Sequence, residues 1–475
     1  MGKAFPVEGK SREEVLAALK DHRARDLESD GRAFAFVYDA GESTRQLAKE
    51  AFAECMSING LDPTVYPSAR KIENQVVAAC LELLNAPEGA CGTATAGGTE
   101  SVMLAVKSAR DFARKTRPEI ENPKMLLPET AHACFHKGAH YFGVEVVPVA
   151  VDDDFRAVVE DARAKMTDDV ILVVGSAPSY AHGVIDPIEE LAALASEHGA
   201  LMHVDACVGG CVLPFMVENG EDIAPFDLSV PGVTSLSMDL HKYGFAPKGV
   251  SILLQARREL RDAQYFACAN WSGYAIVNAT TLGSKSLAAC GAAFTLLHHL
   301  GRQGYRDRVK LMWDAAKNVI EAIEDSPDLE MLATPDMGLF AFRPIDGDVF
   351  ELADRLTKRG WHVQPTYAFG ASPAHIHLTM DPGNSVNAEA FIEDLHACAR
   401  DLPETIDPPA QIVGMLDMLG EGDADGLDPS VLMGQLGIQD GQLPTESATI
   451  HRLINAASPA ARERLLILFI GELFS

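Results

Sequence analysis

His241 and Lys242 stand side by side in SMDLHKYGFAPKGVSILL (237–254), between two apolar runs, and a second lysine, Lys248, follows six residues later. A lysine placed directly after a strand, beside a histidine and ahead of a glycine, can hold its amine at the carboxyl edge of a sheet, where α/β folds build their sites. Alone, such a lysine would ordinarily be a surface charge. Asp205 changes that weighting. It closes the apolar stretch ALMHVDA (200–206), 37 residues before Lys242, where a carboxylate serves either as a helix cap or as the partner of a positive group.

In a water-poor pocket the ammonium form of a lysine is disfavoured, and the neutral amine can form a Schiff base with an aldehyde. A carboxylate facing a pyridine nitrogen keeps that nitrogen protonated, which makes the ring an electron sink. Two further stretches complete the set. TAGGTES (95–101) puts small residues and hydroxyls just before a helix, where backbone N–H groups can approach a phosphate. TAHACFHK (130–137) supplies His132 or His136 to lie over a ring. Each signal is weak alone, since glycines also serve turns and histidines are often structural. In this order they point to pyridoxal 5′-phosphate.

These residues need a scaffold, and the chain patterns supply one. From about residue 70 to 255 helical and strand periodicities alternate, as βαβ units do. The helices RKIENQVVAACLELL (70–84), ESVMLAVKSARDFARK (100–115) and DPIEELAALASEHG (186–199) are separated by the short strands KMLLPE, VEVVPVAV, DVILVVGSA, ALMHVDA, SLSMD and GVSILLQ. Beyond residue 290 long helices and a second set of strands, LFAFRPI, HVQPTYA and HIHLTMD, predict a smaller α/β domain. The expected division is an N-terminal segment over 1–60, a large cofactor-binding domain over 61–290, a small domain over 291–405 and a helical extension over 406–475. LGEGDADGLDPS (419–430) reads as a linker or loop, without the spacing of a calcium loop.

Forty basic against 68 acidic residues give a formal net charge of −28, which excludes nucleic acid or an anionic membrane as the main partner, because phosphate binding needs a basic face. Nine cysteines are scattered through apolar surroundings, the N-terminus lacks a signal-peptide pattern, and no apolar run is long enough to span a bilayer. A cytoplasmic protein with reduced thiols is expected. LLILFIGELF near the C-terminus is expected to be a buried helix.

From Tyr38 to about Leu402 the chain resembles the fold type I pyridoxal-phosphate enzymes, specifically the group II decarboxylases, and within them the sphingosine-1-phosphate lyases. The resemblance is carried by NGLDPTVYPSARKIENQVVA, CGTATAGGTESVMLAVKSARD, ETAHACFHKGAHYFG, GSAPSYAHGVIDPIEELA, LMHVDACVGG and GVTSLSMDLHKYGFAPKG. It implies a mostly parallel central sheet with a smaller C-terminal α/β domain, and these roles: Lys242 as covalent anchor, Asp205 at the pyridine nitrogen, His132 stacked on the ring, Gly98, Thr99 and His241 at the phosphate, and His203 near the ring. Lys248 matches a lysine that the lyases keep beside the reacting centre, and Tyr38 and His182 match positions at the substrate entrance. A homodimer is also implied, with GSKSL (283–287) reaching the neighbouring subunit.

Two positions depart from the lyase pattern. Asp62 in NGLDP stands where the lyases usually carry histidine, and Lys285 in GSKSL where they usually carry arginine, whose planar fork suits phosphate better. The expected activity is a lyase acting on a small-molecule amine, splitting a phosphorylated or related long-chain amino alcohol by retro-aldol cleavage. Decarboxylation of an amino acid is the alternative. A cofactor-binding relic without catalysis would have lost Lys242, Asp205 or His132, and all three are present.

Overall fold

In the computed structural model, residues 5–27, 30–62, 64–420 and 447–474 are described. Seven strands, β1 (Cys91–Thr95), β2 (Lys124–Pro128), β3 (Glu145–Val149), β4 (Val170–Ser176), β5 (Leu201–Asp205), β6 (Ser235–Met238) and β7 (Ser251–Gln255), form one sheet. Their order is β1-β7-β6-β5-β4-β2-β3. Neighbours from β6 through β3 pair in parallel, and β7 runs antiparallel to both β6 and β1. The sheet is therefore mostly parallel, as expected.

Every residue of β4 and β5 is buried, which is why VILVVGS and LMHVD read as continuous apolar runs instead of alternating ones. Val173, Met202 and Val204 face one core, and Leu172 and Val174 face a second core on the other side of the sheet. Helix Gly98–Thr116 packs between β-strands and helix Cys134–Phe142, so it buries Val102, Leu104, Val106 and Ala109 around much of its surface. β1 is a strand that the sequence pattern does not announce. CGTAT lacks branched apolar residues apart from threonine, and its strand state is imposed by full register with β7.

Gly301, with φ 57° and ψ −179°, breaks the long helix Ala288–Glu324. Strands β8 (Phe266–Cys268) and β9 (Ile276–Asn278) form a hairpin. β10 (Leu329–Met331), β11 (Leu339–Pro344), β12 (Gln364–Thr366) and β13 (His375–Thr379) form a separate antiparallel sheet in the order β10-β11-β13-β12. The N-terminal segment joins this small sheet: Phe34 N–H donates to His362 O (2.8 Å), and Phe34 O accepts from Thr379 N–H (2.7 Å). Phe34 is fully buried against Trp361 and Phe391.

Helices Ala410–Gly420, Ala448–Ala456 and Pro459–Leu473 make up the described part of the C-terminal extension. Asp354 accepts from the backbone of Ser447 and Ala448 (3.1 and 2.9 Å) and so caps the second of these from another part of the chain. The expectation that LLILFIGELF is buried is overturned. Among the described residues of the last helix, only Ala461 and Leu465 reach the small core with Leu416 and Ala457, while Ile467 and Phe474 are 62% and 85% exposed. A single thin layer of helices cannot cover both faces of an apolar helix. The acidic stretch 421–430 lies outside the described residues.

Gly183 fastens the two sheets. It adopts φ +73°, and a Cβ there would sit 1.8 Å from the carbonyl oxygen of Leu339 on β11. Gly183→Ala is expected to lower stability well beyond the roughly 1 kcal/mol that a positive φ alone costs. Gly199→Ala, with φ +66° and open space around it, should show only that smaller cost; denaturant midpoints of the two variants make the comparison.

Candidate active site

The carboxyl ends of β1, β2, β4, β5 and β6 open onto one cavity of about 770 Å³, within the usual range for ligand sites. Lys242 sits on the turn after β6, its Nζ 3.2 Å from Asp239 Oδ2, and His241 Nε2 lies 3.6 Å from that same oxygen. Burial by itself depresses the Lys242 ammonium, but the opposing charges of Asp239 and, more distantly, Asp205 hold it well above the ordinary lysine value. The expectation of an amine neutralised by burial is corrected here: without another charge at the site, Lys242 is an ammonium ion.

Asp205 ends β5 and takes hydrogen bonds from the backbone N–H of Cys207 (3.0 Å) and the Ser237 hydroxyl (3.4 Å). Burial pushes its carboxyl up, and this is outweighed by the Cys207 contacts and by the nearby His132 and Lys242, so Asp205 stays anionic. His203, two residues earlier on the same face, does not line the cavity. Its two ring nitrogens bond to Ser235 Oγ (2.8 Å) and Ser237 Oγ (3.2 Å), and burial lowers it to about 4. A chain from Ser235 through His203 and Ser237 thus fixes the Asp205 carboxylate from below. His203 positions Asp205, where the resemblance placed it beside the ring.

Gly97 and Gly98 begin the helix that follows β1. A Cβ on Gly98 would meet Asp239 Oδ2 at 2.6 Å, and one on Gly97 would meet the His241 ring at 3.4 Å. Bare backbone is therefore required for the helix start to approach the Lys242 turn, and Thr99 joins it on the cavity wall. Glu100, absent from the sequence expectations, ties this cradle together: it accepts from Ala96 N–H (2.6 Å) and from the backbone N–H (2.7 Å) and hydroxyl of Thr281. Behind it a hydroxyl chain, Thr95–Ser101 (2.7 Å) and Ser101–Ser251 (2.8 Å), links β1, the helix and β7.

These residues fit pyridoxal 5′-phosphate. His241 Nδ1 is buried without a protein partner beside the helix start, an anion fits that start, and the anionic Asp205 suits a protonated ring nitrogen. His132 precedes helix Cys134–Phe142 and lines the cavity, whereas His136 does not. Tyr180, also on the wall, lies edge-on to His132 at 6.4 Å.

Tyr38 packs edge-on to Tyr243 at 5.1 Å, and Lys248 Nζ lies 4.7 Å from the centre of the Tyr38 ring while donating to His241 O (3.2 Å). Although Lys248 as a residue is exposed, loss of water around its ammonium and repulsion from Lys242 bring it below the ordinary lysine value. Burial raises the Tyr38 phenol, so it stays protonated. His182 lies outside this cavity, in an adjoining chamber of about 300 Å³ that shares His132 and Tyr180 with it.

Asp62 lies apart from the cavity, and Lys285 lines a neighbouring chamber of about 230 Å³ together with Lys248, which, like Tyr38, does not line the cofactor cavity itself. Asp62 accepts from the Thr64 N–H (2.8 Å) and hydroxyl (2.6 Å), an ordinary Asx turn. Lys285 Nζ is held by Glu73 Oε2 (3.0 Å) and Ala94 O (3.1 Å). The two departing segments also bind each other, with Gly60 N–H donating to Lys285 O (2.7 Å) and Leu287 N–H to Ile58 O (3.0 Å).

With this geometry in place, the sequence profile described as the pyridoxal-dependent decarboxylase conserved domain matches residues 11–345. The chain belongs to that pyridoxal-dependent family. The sphingosine-1-phosphate lyase of Arabidopsis thaliana is 37% identical over 421 residues, covering 87% of this chain and 76% of that protein. The structure of the Burkholderia pseudomallei sphingosine-1-phosphate lyase is 33% identical with a TM-score of 0.79, covering 83% of this chain and 92% of that one. A Lactobacillus brevis glutamate decarboxylase shares the fold at 21% identity and a TM-score of 0.74, over 86% of this chain and 97% of its own. A second profile, for a helix-turn-helix domain at the C-terminus of pyridoxal-dependent enzymes, matches residues 401–472. The family's cofactor is pyridoxal 5′-phosphate, and the fold is the fold type I arrangement expected from the sequence.

Asp239→Asn removes the foremost charge that holds Lys242 protonated. Loading of cofactor-free protein, followed by the visible absorbance that appears on adding pyridoxal phosphate, should then reach its half-maximal rate at a pH about 1 lower or more. An unmoved profile would show that Asp239 does not control the lysine.

Proposed function

We propose that this protein is a pyridoxal-phosphate-dependent carbon–carbon lyase that splits a long-chain amino alcohol, phosphorylated or of related form, into an aldehyde and an amine. The observation that carries this reading is the second lysine: Lys248, brought below its ordinary value, stands over Tyr38, a residue close enough to Lys242 to feel its charge. The similarity to two sphingosine-1-phosphate lyases supports it.

When bound, the cofactor supplies a sink for the electron pair left at Cα as a bond there breaks. The residues of the chain do the rest. Lys242 would hold the cofactor covalently, and Asp239 holds the free lysine amine as an ammonium. Asp205 would keep the cofactor's ring nitrogen protonated. Lys248, in its neutral form, takes the proton of the substrate's 3-hydroxyl; the Cα–Cβ bond then breaks, the oxygen becomes the aldehyde carbonyl, and the electron pair remains on the amine fragment. Tyr38, protonated, donates a hydrogen bond and does not compete for that proton.

Decarboxylation of an amino acid needs no base at a hydroxyl, so it separates cleanly from this reading. Lys248→Met should lower aldehyde release by about 10²-fold or more while leaving the cofactor absorbance in place; carbon dioxide release from any amino acid by the native enzyme at a comparable rate would favour the alternative. Because Lys248 is below its ordinary value and acts as the unprotonated base, kcat/KM should rise with pH and level off below the usual lysine range. Loss of that rising limb in the Met variant identifies it.

We further propose a cytoplasmic homodimer acting on small-molecule amines and not on nucleic acid. All nine cysteines are free, as a reducing compartment allows, and among the described residues no helix is long and apolar enough to cross a membrane. Only three arginines and no lysine lie between 401 and 475. Of these, Arg452 pairs with Asp348 (2.5 Å) and Arg462 bonds Ala368 O (2.9 Å), both turned toward the protein.

A further inference from the structure

The 300 Å³ chamber beside the cofactor cavity contains two buried imidazoles that the reaction chemistry does not use. His182 and His375 are 2% and 1% exposed and their ring centres lie 5.4 Å apart. His182 Nε2 bonds Ser372 Oγ (3.0 Å), and its Nδ1 is buried without a partner. His375 Nδ1 bonds Pro373 O (2.8 Å), and its Nε2 is likewise buried without a partner. An orphaned buried polar atom costs free energy comparable to a lost hydrogen bond, and with Thr130 Oγ1, also buried without a partner on the same wall, three in one chamber ask for a ligand.

The chemistry of that ligand follows from the protons. Burial lowers His182 to about 3 and also lowers His375, so both rings are neutral. A carbonyl oxygen can only accept, so His375 Nδ1 carries its proton toward Pro373, and Nε2 is left as a bare acceptor. The missing partner must therefore be a donor, such as a hydroxyl. Around the pair the wall mixes hydroxyl side chains such as Thr130, Thr366 and Ser372 with apolar surface, including Phe155, stacked on His182 at 3.9 Å, and Phe369. The only formally charged side chain on the wall is Glu129, which repels phosphate.

We propose that this chamber is a specificity subsite for the non-reacting part of the amine substrate: an uncharged, mainly apolar chain that carries a hydroxyl or other hydrogen-bond donor. The inference rests on the lyase reading only for the identity of the substrate, since the chamber adjoins the cofactor cavity through the shared wall residues His132 and Tyr180. The C-terminal extension holds the chamber's outer wall. His451 Nδ1 bonds the Tyr367 hydroxyl (2.9 Å), Asn455 accepts from Ala368 N–H (2.7 Å), and Arg462 donates to Ala368 O. The extension thereby braces segment 366–372 from behind.

The test uses the cofactor-loaded full chain and needs no bond cleavage. Primary amines are titrated while the visible absorbance is followed: a short alkylamine, a long alkylamine, the same long chain with a terminal hydroxyl, and that chain with a terminal phosphate. The native protein should bind the hydroxylated chain about tenfold more tightly than the plain one and more tightly still than the phosphorylated one. His375→Phe should erase the hydroxyl advantage. Ala371→Trp, at the chamber rim, should weaken all three long amines about tenfold or more and leave the short one unchanged. Equal binding of hydroxylated and phosphorylated chains, or long-amine affinities untouched by Ala371→Trp, overturns the subsite. If instead the subsite behaves as stated and no amino alcohol yields aldehyde, the lyase reading alone has failed.

Discussion

Two buried carboxylates, Asp205 and Asp239, share the neighbourhood of one ammonium, that of Lys242. Anions this poorly hydrated persist only when paired or hydrogen-bonded, so the turns around them are arranged as a charge balance. Backbone N–H of Cys207 and the Ser237 hydroxyl carry part of Asp205, while Lys242 and His241 flank Asp239. A cofactor held covalently by the lysine would have to supply a positive group beside Asp205 to keep this balance. A preference for a cationic ring is thus written into the arrangement of the protein's own charges.

That balance depends on strand order. β5 and β6 are parallel neighbours with Asp205 opposite Ser237, and the turn after β6 carries Asp239, His241 and Lys242 over the same edge. β7 then returns antiparallel and delivers β1, whose end supplies the glycine cradle. Residues separated by more than 140 positions meet because one reversed strand is inserted between them. Burial of the apolar strands, at about 1.5–3 kcal/mol for each large side chain, fixes the polar ends without any of them contributing to the core.

Much of this was legible in the sequence, for a physical reason. Lys242, Asp205 and the Gly98–Thr99 cradle sit at transitions between apolar runs and turns, and such transitions show in a single chain. Asp239 and Glu100 stand in the same transitions, yet their roles depend on partners that local spacing does not reveal, Glu100 on Thr281 above all. The aspartate ending SLSMD was the available signal for the first. His203 shows the limit of resemblance: period-two alternation puts it on the face of Asp205, but one step back from the edge, where serines consume both its nitrogens. The exposed apolar face of the last helix was misread because composition does not tell how many layers will cover it.

Asn59–Asp62 and Gly283–Leu287 are far apart in the chain and differ together from the lyase pattern. They are also zipped to each other, backbone to backbone, and a Cβ added at Gly60 would come within 3.0 Å of the Lys285 stem. Neither can be exchanged as an independent part. Anyone building chimaeras between this chain and a relative has to move both as a single cassette, and Glu73 with them, because the lysine brings its counter-charge along.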